Sequence, residues 1–360
     1  MKNPDRKFWE GKRVLITGHT GFKGGWLSIW LHSLGAEVFG ISLEPDKIPN
    51  LYAEANLKKI SFSHYVDIRD YEKLKTHIKN INPEIVFHLA AQPLVRKSYI
   101  QPLETFSTNI MGTANVLEAI RNSKSVKSAL MITTDKVYSN NEWLWPYRES
   151  DRIGGSDPYS ASKSGSEIVI ESYKKSFYSS LNINIAIARA GNVFGGGDWS
   201  EDRLMPDVAQ AWLEGKNVEI RNPNSVRPWQ HVLEPLSGYL LLAESMTEYP
   251  DRAGSYNFGP GPSGEISVIE FISKTKDAFK NFGRNGQYII KRTIDEFNES
   301  NLLRLDVSKA QAALNYFPRW GVDLAIQKTA EWYIKKWQGD HALELCQADI
   351  KSFEALNEKF

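Results

Sequence analysis

Through the first half of the chain, short apolar runs alternate with longer stretches of mixed apolar and charged residues. Residues 13–17, 37–42, 61–66, 85–89, 129–133 and 185–189 form runs of strand length. Several are apolar almost throughout, the pattern of strands buried on both faces. Between them, residues 26–34, 71–80, 102–122 and 159–178 read as helices. Strands separated by helices predict an α/β fold: a doubly wound parallel sheet covered on both faces. Ligands of such sheets sit at the carboxyl ends of the strands. After about residue 190 the rhythm breaks. Gly195-Gly196-Gly197, short apolar pieces and scattered Trp and Pro predict a smaller, irregular lobe.

The first strand run ends directly in Gly18-His19-Thr20-Gly21-Phe22-Lys23-Gly24. Glycines here allow a tight turn and let a pyrophosphate approach backbone N–H groups at a helix start. The helix N-terminus adds partial positive charge. The loop is therefore shaped for a dinucleotide.

The near balance of 44 basic and 43 acidic residues predicts no general affinity for nucleic acid or for a membrane surface. Any anionic ligand must then meet a local cluster of cations. The single cysteine, Cys346, leaves no internal disulfide and fits a reducing compartment. The first residues lack the apolar core of a signal peptide, and no run of about 18 apolar residues exists to span a bilayer. The expectation is a cytoplasmic protein, and no metal-ligand set is read from the sequence.

Tyr159 and Lys163 stand four apart and share one helix face. An ammonium near a phenol favours the phenolate, which can take a proton from a hydroxyl while hydride leaves the same carbon. Thr134 closes the strand run before them and is placed to present its hydroxyl beside Tyr159. The glycine loop, the strand-end threonine and Tyr-x-x-x-Lys thus occur in order on the elements that such chemistry needs.

These residues resemble the extended branch of the short-chain dehydrogenase/reductases. The resemblance runs from Lys12 to about Trp337 and includes Phe87-His88-Leu89-Ala90-Ala91-Gln92, residues 109–119 and Arg189-Ala190-Gly191-Asn192-Val193-Phe194-Gly195. Thr134-Asp135-Lys136-Val137-Tyr138, with Arg227-Pro228-Trp229-Gln230-His231, is similar to the nucleotide-sugar 4,6-dehydratases, in the branch acting on a CDP-hexose. Lys136 departs from the Thr-Asp-Glu of the dTDP-sugar enzymes.

The resemblance implies a Rossmann-type sheet with a smaller mixed α/β C-terminal substrate lobe. Residues 1–190 would bind NAD, with a return near 232–260, and 191–360 would mainly bind the nucleotide sugar. Asp135 is the expected acid, which needs a raised pKa, and Lys136 the expected base, which needs a lowered one. Expected cofactor contacts are Gly18, His19, Gly21, Phe22, Lys23, Gly24, Ser42, Asp67, Ile68, Leu89, Ala90, Ala91, Thr108, Asn109 and Thr133, together with Tyr159 and Lys163. Ser42 occupies the place of the acid that normally meets the ribose, and no arginine pair stands there for a 2′-phosphate, so NAD is favoured over NADP. Expected substrate contacts are Gln92, Asn192, Arg203, Arg221, Arg227, Trp229, His231 and Arg304. The family further suggests a homodimer or homotetramer, in which Val116, Ile120, Ile168, Val169 and Tyr173 face either a second copy or the core. A dTDP- or GDP-sugar dehydratase, a 4-epimerase and a non-catalytic dinucleotide-binding regulator are the alternatives.

Overall fold

The computed structural model describes residues 2–261, 264–291 and 302–356. A seven-stranded parallel sheet organises the chain. Its strands are β1 (Arg13–Thr17), β2 (Glu37–Ser42), β3 (Phe62–Tyr65), β4 (Ile85–His88), β5 (Ser128–Ile132), β6 (Asn184–Ala190) and β7 (Ser255–Phe258). The spatial order is β7-β6-β5-β4-β1-β2-β3. Strand order reverses direction at β1, where β4 and β2 flank it (Thr17 opposite His88 on one side and Ile41 on the other). That switch point opens the crevice in which doubly wound sheets bind ligands.

Apolar side chains on both faces explain the near-continuous strand runs. Val14, Ile16, Phe87 and Leu130 join a large core with the helices Phe22–Ser33 and Leu233–Glu248. Leu15, Val86, Met131 and Ile187 face a second core with the helices Tyr71–Ile81 and Gly112–Arg121. Val116 and Ile120 are fully buried in that second core, whereas Ile168 is 61% exposed. Of the residues read as either interface or core, the first two are core.

Three helix boundaries differ from the expectation. The first helix begins at Phe22 rather than at 26, because the glycine loop runs straight into its first turn. Residues 102–122 are broken by a π turn over Ser107–Met111, and residues 159–178 end in another over Lys174–Tyr178. Beyond β6, three two-stranded ladders and the helices Leu204–Leu213, Val268–Asn281 and Val322–Gln338 build the remaining lobe. Among the described residues, no helix is long and apolar enough to cross a membrane.

Candidate active site

The glycine loop is closed by close approaches. Gly18 has φ +79°, and a Cβ there would lie 2.7 Å from Ala90 N at the end of β4. Gly18 N–H donates to Ile41 O at 2.7 Å, and Gly21 N–H to Gly18 O at 3.1 Å. Gly21 then caps the helix Phe22–Ser33 with extended backbone and no side-chain cap, so the first helical N–H groups are left for a ligand. A Cβ on Gly24 would run into Gly18 O, so only glycine lets the first turn sit on the loop. This cradle fits a pyrophosphate: it combines bare helix-start donors with backbone that no side chain screens.

His19 corrects the expected contact. Its ring is fully buried, with Nε2 2.9 Å from Ser63 Oγ and Nδ1 3.2 Å from Ser42 Oγ. Burial holds its pKa down at about 4. Its imidazole ties β2 to β3, and the ring is not offered to a ligand. Gly40 makes this possible, since a Cβ there would enter the His19 ring. Where an acid is usual, β2 ends in a cluster of hydroxyls. Ser42 Oγ lies 2.9 Å from Thr20 Oγ1, and Tyr52 OH donates to Ser63 Oγ at 2.7 Å. Asp67 is engaged by Arg69 at 2.6 Å, which holds its carboxyl below the usual range. Ile68 is buried against Gly112. Leu89 and Ala90 hydrogen-bond through their N–H groups to Thr17, and Ala91 follows them into the same loop.

Two further expected contacts prove to be internal stitches. Gln92 donates from Nε2 to Leu94 O and Thr105 Oγ1 and accepts from Leu94 N–H, so its amide is consumed. Asn109, 1% exposed, accepts from Gln92 N–H and donates to Gln92 O and Ser162 Oγ. Its neighbour Thr108 sits half-buried in the π turn. Thr133 donates to Glu167 Oε1 at 2.6 Å.

The strand end of β5 carries the chemistry. Thr134 caps a short 3₁₀ turn over Asp135–Val137: it accepts from Lys136 N–H and donates to Asp135 Oδ1 at 3.0 Å. Its hydroxyl also acts on the Tyr159 phenol, opposing the rise in its pKa. Tyr159 and Lys163 lie in the first turns of the helix Pro158–Tyr173, which Asp157 caps by accepting from Ser160 N–H. Lys163 Nζ donates to Ile132 O at 3.2 Å. Burial lowers the Lys163 pKa to about 8, with the charge of Glu167 opposing. The Tyr159 phenol is not lowered as expected. Burial pushes it up to about 12, and the neighbouring Asp135 adds to the rise.

Asp135 is 2% exposed, and burial raises its pKa against the pull of Lys136, Thr134, Arg227 and Lys23. Its Oδ2 has no hydrogen-bond partner among the described residues. A carboxyl whose pKa burial raises, with one unpartnered oxygen, suits a proton donor to a leaving hydroxyl. Lys136 is half-buried on the same turn. Another lysine with a lowered pKa is Lys23, which burial and the charges of Arg203 and Lys163 bring to about 7.

Of the expected anion-binding residues, Arg203 and Arg227 converge here. Arg203 pairs with the buried Asp198 at 2.9 Å and acts electrostatically on both Tyr159 and Lys23. Arg227 acts on Asp135. Asn192 lies just past β6, where its carbonyl accepts from Gln230 N–H at 3.1 Å. Arg221 pairs instead with Asp202 at 2.8 Å and lines a separate cavity of about 320 Å³ with Asp207 and Lys291. Arg304 pairs with Glu265 at 2.7 Å. Trp229 and His231 are corrections. The Trp229 indole stacks on Phe271 at 4.2 Å and donates to Ile266 O. His231 is fully buried between Trp26 and Trp320, its pKa lowered to about 3 by burial. Both side chains belong to the core.

The sheet, the glycine cradle and the Thr134–Tyr159–Lys163 group define an extended short-chain dehydrogenase/reductase. More narrowly, the chain belongs to the family described as GDP-mannose 4,6 dehydratase, whose model matches residues 15–329. It is 44% identical over 356 residues to the CDP-glucose 4,6-dehydratase of Salmonella typhimurium, covering 97% of this chain and 98% of that one. It is 25% identical to dTDP-glucose 4,6-dehydratase 1 of Escherichia coli, covering 90% and 94%. A solved UDP-glucose-4-epimerase from Stenotrophomonas maltophila, with bound NAD and formylated UDP-arabinopyranose, shares the fold at TM-score 0.79 and 21% identity, covering 91% and 99%.

Proposed function

We propose that the protein is an NAD-dependent hydro-lyase that converts CDP-glucose to CDP-4-keto-6-deoxy-glucose and water. The observation that carries this reading is the buried Asp135 carboxyl, with its unpartnered Oδ2, beside Thr134 and Tyr159. A simple 4-epimerase has no step that uses such an acid. The 44% identity to a CDP-glucose enzyme over nearly the whole chain supports the choice of nucleotide.

In this reading the N-terminal lobe, residues 1–190, holds NAD through the cradle at Gly18, Gly21, Phe22 and Gly24, with the hydroxyls of Ser42 and Thr20 toward the ribose. Bound there, NAD supplies a hydride acceptor for C4 that later returns the hydride to C6. Tyr159, steered by Thr134 and by the Lys163 ammonium, takes the proton of the 4-OH. The resulting ketone acidifies the C5 proton, which Lys136 would take and return to C5 as the hydride reaches C6. Asp135 protonates the departing 6-oxygen, and water leaves. Residues 191–360 mainly bind the nucleotide sugar, with Arg203 and Arg227 against the diphosphate. The exposed apolar side chains of Ile100, Leu103, Met111 and Ile168 fit coverage by a second copy of the chain.

The test is incubation with CDP-, dTDP-, UDP- and GDP-glucose in the presence of NAD. The expected result is the alkaline absorbance of a 4-keto-6-deoxy sugar and the loss of one water from the CDP sugar. A product of unchanged mass would establish an epimerase instead.

A further inference from the structure

Behind the catalytic residues lies a buried ion pair that the reaction as derived does not use. Glu167 follows Lys163 by four residues on the same helix, and so stands one turn further along the same face. It is 1% exposed, and its partner Arg189 on β6 is 4% exposed. Arg189 Nε donates to the two carboxylate oxygens at 2.9 and 3.1 Å, and Nη2 donates to Oε2 as well. Thr133, the residue before Thr134, donates to Oε1 at 2.6 Å.

Arg189 is itself fixed. Its Nη1 donates to Tyr138 OH at 2.8 Å and to Glu149 O at 3.1 Å. Tyr138 OH donates in turn to Asn257 Oδ1 on β7 at 2.7 Å. The carboxylate is thus bonded directly from the end of β5 and from β6, and through Tyr138 from β7. A buried charge is tolerated only when paired and hydrogen-bonded, and this one is both. The buried Lys163 ammonium needs a nearby anion for the same reason. Burial raises the pKa of Asp135, which weakens it as that anion. Among the described residues, the charge of Glu167 supports the Lys163 ammonium against burial.

We propose that Glu167 is a positioning residue for the oxidation step: fixed by Arg189 and Thr133, its carboxylate keeps Lys163 charged and anchors the strand end that presents Thr134. The link to oxidation rests on the dehydratase reading; the link to Lys163 does not.

The test replaces Glu167 with Gln in the full chain and follows the Lys163 side chain by NMR with lysine labelled at the ε-carbon, its signal assigned by its loss in Lys163→Met. The expected result is a Lys163 titration midpoint about one pH unit lower than in the parent protein. In parallel, the pH profile of kcat/KM with CDP-glucose narrows. Its alkaline limb, where the ammonium is lost, moves down by about one unit, and activity at pH 8 falls about fivefold. Glu167→Asp, which retains the charge, restores most of the profile. The double variant Glu167→Gln/Arg189→Gln removes the lone buried cation. It regains thermal stability but keeps the lowered midpoint. An unmoved Lys163 midpoint in both Gln variants, with only the melting temperature reduced, would overturn the proposal and leave Glu167 a structural residue. A lowered midpoint in a protein that turns over no CDP-glucose would overturn the dehydratase reading alone.

Discussion

Gly191 stands against the open oxygen of Asp135: a Cβ at position 191 would lie 2.7 Å from Asp135 Oδ2 and 2.9 Å from Pro228 Cγ. The absent side chain leaves room beside Oδ2, which is buried and has no hydrogen-bond partner among the described residues. Gly191→Ala should therefore crowd the acid without removing it. General acid catalysis contributes about 10²–10⁴-fold, so kcat should fall by at least about tenfold while Asp135 is still present. The rate of product absorbance checks this, alongside a circular-dichroism melt to confirm folding. A folded Gly191→Ala protein with parental kcat would mean that Oδ2 does not face the substrate.

Asp135→Asn separates oxidation from elimination. The amide keeps the shape and the bond from Thr134 but cannot donate a carboxyl proton to the leaving oxygen. Reduced cofactor should accumulate, or hydrogen at C4 should exchange, while water loss drops by about 10²-fold or more. Dehydration at the parental rate would remove Asp135 from the mechanism. Tyr159→Phe supplies the contrast. It should abolish C4 oxidation and with it every later step.

The sheet was legible because its strands are buried on both faces, and a run such as Val14-Leu15-Ile16 admits few other readings. The seventh strand was not legible. Ser255-Tyr256-Asn257-Phe258 is half polar, and Asn257 is tolerated inside only because it accepts from Tyr138 and donates to Tyr147 O. The start of the first helix was hidden by Gly24 and Gly25, which weaken helix propensity but are needed for close packing. In the candidate site, Thr134, Asp135, Tyr159 and Lys163 sit on two adjacent elements; the spacing of Tyr159 and Lys163 was visible in the sequence, whereas Asp135 came from the resemblance. Trp229 and His231 looked like ligands beside Arg227 because their actual partners, Phe271, Trp26 and Trp320, are remote in sequence. Glu167 was missed although its four-residue spacing from Lys163 was visible. Only the structure shows that Arg189 and Thr133 fix it.

Gly24→Ala tests the cradle. The added methyl would run into Gly18 O at the foot of the first helix, so the helix start must move away from the loop. Cofactor affinity should fall by at least about tenfold, since the donors at a displaced helix end no longer converge on one anion. Fluorescence titration with NADH measures this. Gly215→Ala is the control, because nothing lies within 4 Å of a Cβ there and only its backbone strain is altered. Equal affinities in the two variants would show that close packing at Gly24 does not shape the site.

Glu234 sets an unusual pH dependence of stability. It opens the helix Leu233–Glu248 and is 1% exposed, accepting N–H bonds from Trp320 at 2.6 Å and from Arg319 at 3.0 Å. Those donors favour the carboxylate, but burial outweighs them and raises the pKa from 4.5 to about 8. Between these two values the folded protein holds a proton that the unfolded chain has released. The contribution to stability is therefore full below pH 4.5 and is lost as the pH rises through about 8, at a slope of up to about 1.4 kcal/mol per pH unit. Glu244 and Asp349, both raised to about 7 by burial, act in the same direction. Urea titrations at intervals from pH 6 to pH 8 should show stability declining. Glu234→Gln, neutral throughout and still able to accept from Trp320, should make the decline shallower. If the variant and the parent protein lose stability in parallel across that range, Glu234 is not protonated in the folded state.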